Sequence, residues 1–106
     1  MTERRKMLED FLIQNPTDSF ARYGLALDYA NAGEIERGLE EFRKLLEINP
    51  DYVAAYQMSA QTLIKAGRAA EAQPLLVKGI GCAQHSGNQH AAREMQGMLH
   101  EIETFG

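Results

Sequence analysis

Three side chains that could bind a metal ion lie close together near the end of the sequence. Cys82, His85 and His90 fall within nine residues. Thiolate and imidazole groups are zinc ligands, but this spacing fits none of the usual zinc patterns, and a turn at residues 86–88 separates the two histidines. We therefore expect no metal and no other cofactor, with Cys82 as a small buried residue and the histidines at a solvated corner.

Other catalytic chemistry has little support. No serine has a plausible histidine and aspartate partner set, and the glycines are scattered rather than gathered in a phosphate-binding loop. The chain is 44% hydrophobic and 25% charged, as is ordinary for a soluble globular protein. Its net charge of -4 repels phosphate backbones, so nucleic acid is an unlikely partner. We predict that the protein is not an enzyme and does not bind nucleic acid.

The N-terminal segment has the composition of a helix rather than of a targeting sequence. It is charged from its third residue and contains no long apolar run, which predicts neither a secretory nor a membrane-spanning segment. The basic run at residues 4–6 is flanked by acidic residues and is predicted to form a solvated helix face. Cys82 is the only cysteine, so no intrachain disulfide can form. These features favour a reducing cytoplasm and no contact with a membrane.

Apolar residues recur every three or four positions through most of the chain, which is typical of amphipathic helices. Thr17 or Asp18, and Asp51, are predicted N-caps, while Gly33 and Gly67 can adopt the left-handed conformation that ends a helix. No strand pattern is present. The sequence predicts an all-α protein of six helices, near residues 2–14, 17–32, 34–48, 52–66, 69–84 and 88–104.

The fifth predicted helix contains residues that disfavour helix formation. Pro74 removes one backbone hydrogen bond, and Gly79 and Gly81 each cost about 1 kcal/mol relative to alanine. We expect a kinked helix with a partly frayed end. The alternative is a close approach of the last helix to the backbone, which the missing side chains would permit.

The sequence repeats itself with a period of 34 residues. Residues 15–48 and 49–82 are identical at seven aligned positions, whereas ordinary residue frequencies would give roughly two or three. The matches include Asn-Pro at the start of each segment and Ala-Gly at the end of each first helix. The identical pairs are Asn15/Asn49, Pro16/Pro50, Ala21/Ala55, Ala26/Ala60, Ala32/Ala66, Gly33/Gly67 and Lys44/Lys78.

A helix–turn–helix period of 34 residues resembles the tetratricopeptide repeat. The family pattern has a large residue, then Leu-Gly and Tyr, and continues with a small residue, an aromatic residue and a proline. In the first segment these positions are occupied by Arg22, Leu25, Ala26, Tyr29, Gly38, Phe42 and Pro50. The second segment offers Tyr56, Ser59, Ala60, Leu63, Ala72 and Leu76. The second segment departs from the family pattern at Ser59, which replaces the leucine, and at Gln84, which replaces the closing proline. Arg22 departs at the large apolar position and is expected to keep its charged head in water.

The resemblance implies a short α-solenoid of antiparallel helix pairs with a right-handed superhelical twist. A single domain would span residues 1–106. It would comprise an N-terminal helix at 2–14, repeats at 15–48 and 49–84, and a capping helix at 88–104. Phe42 is expected to be buried between the helices of the first repeat and the next repeat.

The resemblance also implies a function. First helices of tetratricopeptide repeats line a concave groove that binds peptides or partner helices, and in residues 17–32 a second apolar stripe at i, i+3 and i+7 lies beside the core stripe. We expect a protein-interaction module in an adaptor or assembly role. Its partner would be a protein or peptide whose identity the sequence does not reveal. The predicted partner-binding residues are Phe20, Tyr23, Leu27, Asn31, Gln57, Met58, Gln61 and Lys65.

Two alternatives accompany this prediction. The apolar faces could instead be covered by other helices of the chain or by further copies in a homo-oligomer, because exposed apolar patches do not specify their partner. One subgroup of the family grips a C-terminal carboxylate with Lys, Asn and Arg side chains. The corresponding positions here include Tyr23, Leu27 and Met58, which cannot grip a carboxylate, so that mode of binding is disfavoured.

Overall fold

The computed structural model describes residues 3–105, which form six α-helices and, within that range, no strand. The predicted all-α class is confirmed. The predicted start of the first helix at residue 2 lies outside the described residues, and the other predicted helix boundaries agree to within two residues. The helices are α1 (Glu3–Gln14), α2 (Ser19–Asn31), α3 (Ile35–Ile48), α4 (Val53–Lys65), α5 (Ala69–His85) and α6 (Gln89–Phe105).

The helices form two compact units, the first ending at Pro50 and the second beginning at Asp51. In the first unit, α2 packs against both α1 and α3. In the second unit, α5 packs against both α4 and α6, and α4 also contacts α6. The division lies close to Asn49, where the second repeat is predicted to begin. The assignment of residues 1–106 to one domain remains a prediction.

Helix ends follow the predicted local chemistry with one exception. The Asp18 carboxylate accepts a 2.8 Å hydrogen bond from a backbone N–H in the first turn of α2. Gly33 and Gly67 have φ angles of 84° and 77°, which confirms the left-handed helix ends. The predicted cap at Asp51 is wrong, because α4 has Tyr52 as its N-cap residue. The repeat explains this difference: Tyr52 is the counterpart of Asp18, so Asp51 lies one residue too early.

The predicted fraying of α5 is also wrong. The helix continues from Ala69 to His85 with Pro74 inside it. Proline costs a helix one hydrogen bond, but packing against two neighbouring helices contributes more to helical stability than local propensity does. The tertiary contacts of α5 with α4 and α6 thus outweigh its unfavourable residues.

Gly79 marks a close approach of helices in the second unit. A Cβ atom at this position would lie 2.6 Å from Cβ of Tyr56 and 2.7 Å from Sδ of Met95. These residues belong to α4 and α6, so the alternative explanation, in which glycine permits close packing, is confirmed at Gly79. Gly81 has no atom of another element within 4 Å of a Cβ and has no such role.

Each unit has an apolar core centred on large, fully buried side chains. Phe42 and Leu45 of α3 are inaccessible to solvent in the first unit, as are Leu76 and Met95 in the second. The ring of Phe42 lies 6.2 Å from the ring of Tyr23 in a tilted arrangement. The expected burial of Phe42 is confirmed, and Tyr23 contributes to the packing around it. The expected packing of Phe42 against the next repeat stays a prediction.

The expectation of a solvated basic face fails at Arg5, whose side chain is only 6% exposed. Its Nε donates to Asp28 at 2.7 Å and its Nη1 to Glu34 at 2.6 Å, and its guanidinium lies 4.3 Å from the centre of the Tyr29 ring. The hydrogen bond to Asp28 contributes most to raising the pKa of the Arg5 guanidinium, and Glu34 raises this pKa further. Arg5 stands three residues before Leu8, on the face of α1 that packs on α2.

Arg22 also differs from expectation, because its charged head is not in water. Its Nη1 donates to Glu41 of α3 at 2.6 Å, and both side chains are 12% exposed. Its Nη2 donates to the carbonyl oxygen of Pro16 at 3.0 Å. Arg22 is therefore accommodated at a repeat position that is usually apolar, because it forms an ion pair between α2 and α3.

The burial of Phe42 generates a prediction about stability. Phe42→Ala should lower the free energy of unfolding by about 3–5 kcal/mol, since it removes buried surface and leaves a cavity. Phe20→Ala is a matched control, because Phe20 is 79% exposed; it should change stability by no more than about 0.5 kcal/mol. Urea denaturation followed by circular dichroism measures both. Equal effects of the two substitutions would contradict the assigned core.

Gly79 and Gly81 offer a second matched pair on one helix. Gly79→Ala should destabilise the protein by about 1–3 kcal/mol, because the added methyl group collides with Tyr56 and Met95. Gly81→Ala has free space and should stabilise it by up to about 1 kcal/mol through helix propensity. Thermal unfolding of both variants tests the prediction. A stabilising Gly79→Ala would show that α5 does not approach its neighbours so closely.

Arg5 gives a third prediction. Arg5→Gln should lower the midpoint of thermal unfolding, because it leaves Asp28, whose side chain is 14% exposed, without its charged partner. Lys6→Gln removes a neighbouring exposed cation from the same helix and should have little effect. Calorimetry at neutral pH compares the two. Indistinguishable midpoints would mean that the ion pairs of Arg5 add nothing to stability.

Candidate functional site

The first unit contains an apolar depression of about 420 Å³ between α1 and α2, here named the first cleft. Its large apolar lining residues are Leu8, Phe11, Phe20, Tyr23 and Leu27, and its charged ones are Arg4 and Asp18. The shape arises because α2 has two apolar stripes. One faces the core, and the other opens onto the space beside α1.

Two aromatic side chains of the first cleft are available for contact. Phe20 is 79% exposed and Phe11 is 47% exposed. Burying an exposed side chain of this size against a partner stabilises a complex by about 1.5–3 kcal/mol. Tyr23 and Leu27 are half-buried. The first cleft thus combines half-buried apolar walls with exposed aromatic rings.

The second unit contains a comparable depression of about 470 Å³ between α4 and α6, here named the second cleft. Ile64, Met98, Ile102 and Phe105 provide its apolar lining, and Gln61, Lys65 and Glu101 provide its polar lining. Phe105 is 84% exposed, and Ile102 is buried. This depression has fewer aromatic side chains than the first cleft.

The eight predicted partner-binding residues do not form one set. Phe20, Tyr23 and Leu27 line the first cleft, and Gln61 and Lys65 line the second cleft. The other three line neither cleft. Of these, Asn31 is exposed at the end of α2, Gln57 donates a 3.1 Å hydrogen bond to Glu94, and Met58 is half-buried.

Sequence reasoning missed the cleft residues that lie outside the repeats. In the first cleft these are Arg4, Leu8 and Phe11 of α1, and in the second they include Met98 and Phe105 of α6. The repeat pattern assigns groove positions only to the first helix of each repeat, so it could not identify flanking helices. A signal was nevertheless present, because α1 has large apolar residues at five of the seven positions from 7 to 13, more than one buried stripe needs.

The residues considered for metal binding are not assembled into a site. Among residues 3–105, no group of three His, Cys, Asp or Glu side chains is placed to hold a metal ion. Cys82 is half-buried rather than fully buried, and both His85 and His90 are exposed. Burial raises the pKa of the neighbouring Tyr56 phenol, with a further contribution from Cys82. Cys82 is thus a packing neighbour of Tyr56.

No helix within residues 3–105 is both long enough and apolar enough to cross a membrane. α1, α3 and α6, for example, combine buried residues with exposed charged ones.

Comparisons with known proteins agree with this architecture. A family model described as tetratricopeptide repeat matches residues 28–95. A TPR repeat-containing protein of Pseudomonas aeruginosa is 28% identical over 96 residues, which cover 91% of each chain. The solution structure of a tetratricopeptide repeat domain protein from Salinibacter ruber is 30% identical, with a TM-score of 0.79 over 86% of this chain and 92% of that one.

The TPR2B domain of yeast Sti1, solved in a complex with pHsp70, shares the fold at lower identity. It is 20% identical, with a TM-score of 0.86 over 94% of this chain and 80% of that one. The family model spans more than half of the sequence, and the structure supplies the helix pairs that the repeat requires. The chain therefore belongs to the tetratricopeptide repeat family.

Proposed function

We propose that the protein is an interaction module that binds a peptide or helix of another protein, in an adaptor or assembly role. The observation that carries this proposal is the first cleft, an apolar concavity in which Phe20 remains 79% exposed. Such a large aromatic ring beside an apolar depression is typical of a contact residue rather than of a core residue. The binding would be of the helix-in-groove kind, with apolar side chains at helical spacing as anchors.

The family relationship supports the same role. Helical repeat proteins use extended surfaces of stacked helices to bind partners. The yeast Sti1 domain with the same fold is in a complex with pHsp70. The predicted contact residues on α4, especially Gln61 and Lys65 in the second cleft, would provide additional binding surface. We also propose a cytoplasmic location, because the single cysteine suits a reducing compartment.

Self-association is the second candidate function. It is favoured by further exposed apolar side chains on α1, where Met7 is 69% and Ile13 is 73% exposed. A second copy could cover these residues in a symmetric dimer. Light scattering at increasing concentration distinguishes the candidates, since a strict monomer at high concentration would eliminate the homo-oligomer.

Phe20 provides the sharpest test of partner binding. Phe20→Ser should weaken the complex by roughly 2–4 kcal/mol if the ring is a hot spot, and it should leave helical content unchanged because the ring is exposed. Ile13→Ser is the matched control, since Ile13 is similarly exposed but does not line the first cleft. Tyr23 is a poorer choice for substitution because its ring packs against Phe42.

The measurement begins with affinity purification from native cells and continues with titration of the purified partner. A partner should be recovered with the wild type and with Ile13→Ser and be lost with Phe20→Ser. Circular dichroism of all three proteins should coincide. Equal recovery with Phe20→Ser would place the interaction surface elsewhere and contradict the proposal.

A further inference from the structure

Arg4 differs from the other arginines of the first unit. Among residues 3–50, each of the other arginines has a carboxylate within 4 Å, and Arg4 forms neither an ion pair nor a hydrogen bond with any described residue. The paired residues are Arg5 with Asp28 and Glu34, Arg22 with Glu41, Arg37 with Glu34, and Arg43 with Glu40 and Glu47. The unpaired arginine is also the one that lines the first cleft.

The guanidinium of Arg4 lies over α2. Its Nη2 would be 3.5 Å from a Cβ atom at Gly24, and the methyl groups of Leu8 lie 3.6 and 3.7 Å from the same point. The charged head of Arg4 therefore lies close to the backbone of α2 at Gly24, beside the apolar side chain of Leu8. A guanidinium presents several N–H donors in a planar fork that matches a carboxylate, and such bonds are stronger near apolar surface than in water.

The other charged residue of the first cleft does not neutralise Arg4. Asp18 forms no ion pair with it, and its carboxylate accepts a hydrogen bond from the Ala21 N–H at the start of α2. The partial positive charge of this helix end offsets part of the charge of Asp18. A ligand in the first cleft therefore meets one cation without a partner and one anion that is already engaged. This asymmetry favours an acidic ligand over a basic one.

We infer that the first cleft binds an acidic amphipathic segment of a partner protein, with Arg4 selecting a side-chain carboxylate beside the apolar anchors. The inference rests on the proposed function, and it specifies the chemistry of the partner. It differs from the carboxylate grip of one subgroup of the family, because the corresponding positions Tyr23 and Leu27 are apolar here. The anion contact comes from α1, which precedes the first repeat, and the apolar contacts come from Phe11 and Phe20.

A displayed library of random 16-residue peptides tests the inference without knowledge of the natural partner. The wild type should enrich peptides with apolar residues at helical spacing and an adjacent Asp or Glu. Arg4→Gln should retain the apolar preference and lose the acidic one. Lys6→Gln, which removes an exposed cation of α1 outside the first cleft, should retain both preferences.

Titration of the most enriched peptide then measures the contact. Replacing its acidic residue by the matching amide should weaken binding to the wild type about tenfold, as expected for a charge-assisted bond. The same replacement should have almost no effect on binding to Arg4→Gln. Raising the salt concentration should reduce the affinity of the acidic peptide more than that of the amide peptide.

The outcomes separate this inference from the proposed function. Enrichment of apolar peptides without an acidic preference, or an acidic preference that survives Arg4→Gln, overturns the inference and leaves the binding function intact. Failure to enrich any peptide whose binding depends on Phe20 overturns both. A dimer in light scattering that Phe20→Ser converts to a monomer would mean that a second copy occupies the first cleft, which also overturns the inference.

Discussion

The structure depends on how closely its helices approach one another at positions without side chains. At Gly38, a Cβ atom would lie 3.1 Å from the Ala30 nitrogen and 3.2 Å from the Ala26 oxygen, both in the backbone of α2. At Gly79 of the second unit a Cβ atom would instead meet side-chain atoms, Cβ of Tyr56 and Sδ of Met95. A side chain at either position would require these neighbouring atoms to shift. These contacts set the separation within each helix group, and the buried side chains around them can then fill the remaining space.

The first cleft follows from this packing. Gly38 brings α3 onto the face of α2 that carries Ala26 and Ala30, and Ala26 is inaccessible to solvent. The second apolar stripe of α2 is only partly covered, because the Tyr23 ring packs against Phe42 of α3 and α1 lies beside the rest. Phe20 consequently remains exposed although it belongs to a helix with a well-packed core side. The proposed function rests on this uncovered apolar surface of α2.

The basic run of α1 shows how one local sequence gives different electrostatic roles. Arg5 faces α2 and is held by two carboxylates, Lys6 is exposed, and Arg4 lies in the first cleft without an ionic partner among residues 3–105. Successive residues of a helix point in directions about 100° apart, so three adjacent cations reach three different surroundings. One contributes to the fold, one to the solvated surface, and one is available to a ligand. The tertiary position of α1, rather than the composition of the run, decides between these roles.

The sequence by itself determined the helices, the repeat and the family. Apolar periodicity, the Asp18 cap and the glycines that end α2 and α4 depend on interactions within a few residues, so they can be read from local sequence. The 34-residue period also predicted the burial of Phe42, because each repeat must bury its large residue against a small one. Phe20, Tyr23 and Leu27 were predicted from the family resemblance together with their helical spacing, and all three line the first cleft.

Only the tertiary structure decided which residues accompany them. The pairing of Arg5 with Asp28 and Glu34 joins residues 23 and 29 positions apart. The contribution of Phe11 to the first cleft likewise arises between helices, and so does the role of Gly79 in helix packing. No local pattern encodes such contacts, because they depend on the direction and distance at which two helices meet. Helix formation depends on interactions within a few residues. Which apolar surface stays exposed depends instead on how helices distant in sequence pack together.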